Sequence, residues 1–248
     1  MSQNQSRIAW VLAGLLLAAP AVWAAGGGAM SGGTGGTSSM AAPPSPEEQA
    51  RSAYNDGVRS VNKAKSLEGD AAKASDEGKK QKLLDKSQKT YRSALGQFNR
   101  AVENNAGLFQ AWNYIGFCQR HLGDFEAALG AYSRALALNP NYNEAIEYRA
   151  EAYLGLNRVD DSKTAYMSLF RDARPLADEL MSAMRRWVDQ RRTDAKGVSA
   201  DDLATFAAWI EERASVAQQT ASLAVGANSK PLPDWKKWLG GRLRTGLH

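Results

Sequence analysis

Residues Ala111 to Pro140 read AWNYIGFCQRHLGDFEAALGAYSRALALNP, and their spacing predicts two helices joined by a tight turn. Trp112, Ile115 and Gln119 fall on one face of the first helix at the 3.6-residue period, and Tyr132 and Ala135 share a face of the second. A glycine inside a helix costs roughly 1 kcal/mol against alanine. Gly116 therefore implies a close approach, in which the second helix at Ala128 leaves no room for a side chain. Gly123 can take the left-handed conformation that ends a helix, and Asp124 behind it can cap the next one. Pro140 bars Asn139 from the helical region and closes the unit.

The pattern recurs at a fixed interval of about 34 residues. Counting back from Ala128, Tyr132 and Ala135 gives Ala94, Phe98 and Ala101, a second helix whose stripe continues through Leu84, Tyr91, Leu95 and Val102. Counting forward gives Ile146, Arg149, Ala150, Tyr153, Asn157, Ser162, Tyr166 and Leu169, with Pro175 one place late. Arg149 departs from the apolar norm, and Asn157 replaces Gly123 as the residue next best suited to a left-handed helix end. Upstream, Ser45 caps a helix that opens with Pro46 and Glu47, and Tyr54, Val58, Val61 and Ala64 recur at helical spacing around Gly57. Asp56 sits there at a position that should be apolar. The polar stretch between Leu67 and Lys79 makes the first hairpin longer than the others.

Trp112, Ile115, Gly116, Ala128, Tyr132, Ala135 and Pro140 sit where the tetratricopeptide repeat places its packing residues, followed by Ala150, Tyr153, Ser162 and Tyr166 in the next unit. From about Pro46 to Pro175 the chain resembles that family. The resemblance implies an all-α solenoid of helical hairpins, about three repeats over 45–175, that acts as a scaffold without catalysis. Leu176, Leu180, Met184, Trp187 and Val188, then Leu203, Phe206, Ile210 and Val216 behind a Ser199 cap, predict a capping helix pair over 176–224. The remainder, 225–248, reads as a loop from Gly226 to Pro233 and a short amphipathic segment through Trp235, Trp238, Leu239 and Leu243. That segment either folds back onto the array or meets a membrane surface or partner groove.

The bounds of the whole chain agree with a soluble helical body. At 248 residues, 44% hydrophobic and 23% charged, the composition is that of a globular protein. A net charge of +5 and the lack of a concentrated basic face with stacking aromatics argue against nucleic acid as partner. The lone Cys118 excludes an internal disulfide, and with only His121 and His248 beside it no metal site or cofactor is expected. Met1 to Ala24 reads as an export signal, with Arg7, an apolar run from Ile8 to Val22, and cleavage after Ala24. Retention as a membrane anchor is the alternative, although the run is shorter than the roughly 20 residues a span requires. Residues 25–44 read as a flexible Gly/Ser/Pro linker. The expected location is the periplasm or beyond, and the expected partner an envelope protein or peptide.

The resemblance also implies a concave groove lined by first helices. Its residues here are Gln110, Asn113, Tyr114, Phe117, Arg120 and His121, then Glu144, Glu147, Tyr148, Glu151 and Leu154, with Tyr54, Asn55, Val58 and Asn62 from the first unit. Asn113, Phe117 and Arg120 lie on the helix face away from Trp112 and Ile115, so they are expected to be free of packing duty. Glu144, Glu147 and Glu151 stand in one row. The row reads either as a solvated face or as an acidic wall receiving Lys or Arg of a partner, with Tyr114, Phe117 and Tyr148 giving apolar contact. The basic second helix, with Lys79, Lys80, Lys82, Lys86, Lys89 and Arg92, reads as a solvated face or as a docking surface for an acidic partner or lipid head groups. Cys118 and His121 suggest a thiol–imidazole pair, but Cys118 occupies a small buried position of the repeat, and nothing near His121 in the sequence orients its ring.

Overall fold

The computed structural model describes residues 43–229, with side chains described through 220. The expected signal, linker and Trp235–Leu243 segment lie outside the described residues. Within them the chain forms eight helices and no strand: α1 Pro46–Lys73, α2 Glu77–Asn104, α3 Phe109–His121, α4 Phe125–Leu138, α5 Asn143–Gly155, α6 Val159–Asp172, α7 Arg174–Thr193 and α8 Ala200–Ser229. Helices α1 and α2, α3 and α4, and α5 and α6 pair as hairpins, and first helices stack on one another in the order α1, α3, α5, α7. The expected helical-hairpin solenoid is the observed fold. Helix α8 runs through Gly226 to Ser229, so these four residues of the expected Gly226–Pro233 loop are helical.

Each hairpin closes by the same device. A Cβ on Gly116 would lie 2.6 Å from the Tyr132 ring, and one on Gly57 2.6 Å from the Phe98 ring. The residue that crowds Gly116 is therefore Tyr132, one turn beyond the expected Ala128. Phe98, Tyr132 and Tyr166 stand 34 positions apart and are all sealed in the core. Ala150 takes the glycine's place in the third hairpin and is likewise fully buried. Gly57 and Phe98 assign the first hairpin to the same scheme, and Asp56 is accommodated by a partly exposed ion pair with Arg59.

The turns repeat as well. After α3, Gly123 has φ of 84°, and Asp124 N–H donates to Gln119 C=O at 2.9 Å while Gly123 N–H donates to Arg120 C=O at 3.0 Å. After α5, Asn157 has φ of 59°, and Arg158 N–H donates to Tyr153 C=O at 2.8 Å while Asn157 N–H donates to Leu154 C=O at 3.0 Å. Both are the left-handed ending with paired 6→1 and 5→2 bonds. Asp124 then accepts from Ala127 N–H to cap α4, and Ser45 forms a reciprocal capping box with Glu48 at the start of α1.

The first hairpin is long because the polar stretch after Leu67 is itself helical. Only residues 74–76 lie outside α1 and α2, and Asp76 caps α2. At the other end α7 packs on both α5 and α6, as the first helix of a further hairpin would. Trp187 donates its indole N–H to Leu154 C=O at 2.6 Å, and Asn157 accepts from Arg191 Nε and donates to Lys196 C=O. Helix α7 and the loop after it are thus tied to the end of α5 and the turn that follows.

Candidate functional site

Helices α1, α3, α5 and α7 lie side by side, and the residues expected in the groove come from the first three of them. The structure sorts them into two sets. Asn113, Phe117 and Glu147 are almost wholly buried, at 2%, 4% and 2% exposure, and Leu154 is buried with them. Tyr54, Val58, Gln110, Tyr114, Arg120, His121, Tyr148 and Glu151 are half-buried, while Asn55, Asn62 and Glu144 are exposed.

Burial of Asn113 and Phe117 corrects the expectation that this face carries no packing duty. Neighbouring first helices approach closely enough for their facing side chains to meet. The Phe117 ring touches Tyr114 at 6.2 Å, Tyr148 at 5.2 Å, His121 at 4.4 Å and Tyr91 at 6.1 Å between centroids. Tyr114 in turn stacks on Phe98 at 4.9 Å and meets Tyr54 edge-on at 5.8 Å. An aromatic ladder therefore crosses from α1 to α5. Its polar ends, the hydroxyls of Tyr54, Tyr114, Tyr142 and Tyr148, make no hydrogen bond among the described residues. Burial pushes all four phenols above their ordinary value, Tyr142 and Tyr148 to about 12 with help from Glu144 and Glu147 respectively. They remain protonated donors at any physiological pH.

The acidic wall is also corrected. Glu151 forms an ion pair with Arg120 of α3, and its other oxygen lies 3.8 Å from Arg186 of α7. The guanidinium of Arg120 sits over both the Phe117 and Tyr148 rings. Glu147 is pushed up to about 8, first by burial and then by the charge of Glu151, with Arg120 pulling the other way. The chain supplies the cations that a partner was expected to bring, and only Glu144 of the three carboxylates stays exposed. Of the two cations, Arg120 lies within the counted repeat and Arg186 in α7, which spacing within a repeat does not reach.

His121 has a partner that the sequence did not reveal. Its Nδ1 lies 3.3 Å from Glu68, whose carboxylate also accepts from Tyr91 at 3.1 Å and Ser87 at 3.3 Å. Burial acts to raise Glu68, but hydrogen bonds from His121, Tyr91 and Ser87 outweigh it and hold the carboxyl below its ordinary value. Glu68 lies in the extension of α1 that has no counterpart in a standard repeat, so periodicity gave no signal for it. Cys118 is fully buried, and burial pushes its thiol up to about 12, which leaves no thiolate for nucleophilic work. Among the described residues no group of His, Cys, Asp and Glu is arranged to hold a metal ion.

Residues 109–142, α3 and α4 with the turn that follows, match the profile of the tetratricopeptide repeat. No curated protein matches the chain.

Proposed function

From the repeat at residues 109–142, a module that typically mediates protein–protein contact without catalysis, we propose that this protein grips a segment of another protein along its concave face. The observation that carries the reading is the tyrosine ladder. Tyr54, Tyr114 and Tyr148 come from three successive first helices, half-exposed, with Tyr54 against Tyr114, Tyr114 joined to Tyr148 through Phe117, and hydroxyls free to donate. Such an array offers apolar area at low entropic cost and hydrogen-bond donors for a partner's backbone carbonyls. Because Glu151 is already paired with Arg120 and Arg186, recognition rests on these rings and donors and not on an acidic wall. We further propose that the protein acts after export, as the pattern of Arg7, the apolar run and Ala24 suggests, on a partner in the cell envelope.

The test is a photo-crosslinking amino acid at position 148 in the native host, compared with one at exposed Ser133 on α4. Position 148 should yield a discrete adduct that the double variant Tyr54→Phe, Tyr114→Phe diminishes, since that change removes hydroxyls and leaves packing intact. Equal capture at positions 148 and 133, or no capture at 148, would overturn the groove reading.

A further inference from the structure

The outward face of α2 carries an unmet charge. Residues 79–100 hold seven cations, Lys79, Lys80, Lys82, Lys86, Lys89, Arg92 and Arg100, and a single carboxylate, Asp85. Helix α2 buries Ser87, Tyr91, Ala94, Phe98 and Ala101, which turns Lys82, Lys86, Lys89, Arg92 and Arg100 to the opposite, solvent side, and all five are exposed. None of these five pairs with a carboxylate among the described residues, while Asp85 accepts from Gln81. From Lys82 to Arg100 the row is about 27 Å long at 1.5 Å per residue. Like charges at such spacing cost a few tenths of a kcal/mol per pair, so the helix forms in spite of them.

We propose that this row is a docking face for an anionic lipid surface, which holds the solenoid by its convex side and leaves the concave ladder open. Three observations select the occupant. The side chains around the row, Gln81, Gln88, Ser93, Gly96 and Asn99, are exposed and polar or absent, so the face has no apolar anchor of the kind that centres a protein interface. Its aromatics, Tyr91 and Phe98, are buried on the far side and cannot stack on bases. Three of the five cations on this face, Lys82, Lys86 and Lys89, are lysine, a compact charge suited to diffuse attraction rather than to forked recognition of one group. A straight row of lysines on one helix meets a plane, and an acidic bilayer supplies one.

The experiment is sedimentation of the full chain with vesicles of equal parts phosphatidylglycerol and phosphatidylcholine, and with vesicles of phosphatidylcholine alone. The chain should bind the charged vesicles and release them as ionic strength approaches about 1 M, where the screening length falls to about 3 Å. The triple variant Lys82→Glu, Lys86→Glu, Lys89→Glu should bind them at least roughly a hundredfold more weakly, from the loss of three lysine contributions, with an unchanged helical circular dichroism spectrum. Equal binding to both vesicle types, or retention by the triple variant, would place the attraction elsewhere and overturn the proposal. So would tighter binding to a duplex oligonucleotide than to the charged vesicles at the same ionic strength.

Discussion

Placing a methyl group on Gly116 tests the closing device of the hairpins directly. The added carbon would lie 2.6 Å from Tyr132 Cε1 and 2.8 Å from two further ring atoms, about 1 Å inside an ordinary carbon contact. Tyr132 has no exposed surface into which it can turn, so α3 and α4 must separate. Overpacking of this kind costs roughly 1 to 3 kcal/mol, and alanine returns about 1 kcal/mol of helix propensity. The net expectation for Gly116→Ala is a loss near 1 kcal/mol, which for a body of this size lowers Tm by about 2 to 4 °C. Gly96 in α2 provides the matched control, because a Cβ there meets nothing within 4 Å. Gly96→Ala keeps the propensity gain without the clash and should raise Tm by about 2 to 4 °C. Thermal unfolding followed by circular dichroism reads both. If Gly116→Ala melts at or above the wild-type temperature, the glycine is not there to admit Tyr132 and the account of the repeat fails.

Acid should weaken the tie between α1 and α3. Glu68 titrates below its ordinary value in the folded state, so its contribution is present above about pH 4.5, the ordinary value, and is lost as pH falls through the depressed one; Glu68→Gln should flatten that acid limb of a stability-against-pH curve. Glu147 has the opposite sign. With its folded value raised, stability is greatest below pH 4.5 and declines as pH rises through about 8, and Glu147→Gln should abolish that decline and melt higher than the wild type above pH 8. Asn157→Gly keeps the left-handed turn but deletes the bonds to Arg191 and Lys196, at a cost of about 1 to 2 kcal/mol in urea unfolding. Cys118 should react with a maleimide only as fast as the fold opens, so its labelling rate should climb steeply through the denaturant transition.

Periodicity carried the helices, the hairpins and their endings, because each depends on residues close in sequence or at the repeat interval. Gly123 and Asn157 were readable as left-handed positions for that reason, and so were Ser45 and Ser199 as caps. Phe117 and Asn113 were misread because helical spacing separates two faces of one helix but says nothing of how near the next first helix comes. Here that distance is short, and both faces of α3 are covered. Glu68 and Arg186 were missed on a different ground: one lies in an extension of α1 and the other in α7, and neither belongs to the repeating pattern that was counted. The partners of His121 and Glu151 therefore required the third dimension.

Those two missed residues bear on how the proposed binding face is held together. Glu151 receives Arg120 from α3 and Arg186 from α7, so one carboxylate spans three first helices. A partly buried pair of this kind adds little net stability, since desolvation offsets attraction, yet removing one member leaves a charge unmet. Its role is geometric: it ties α5 to both α3 and α7. Glu68 acts in the same way at the other end, joining the long hairpin to α3 through His121. Between these two struts lie the rings of Tyr54, Tyr114 and Tyr148, Tyr54 against Tyr114 and Tyr114 joined to Tyr148 through Phe117. Under the proposed function, a ligand there would meet donors whose spacing is already set and would not lose free energy to ordering them. In the proposed mode of binding, the charges on this face brace the aromatic ladder and the ladder offers the contact surface.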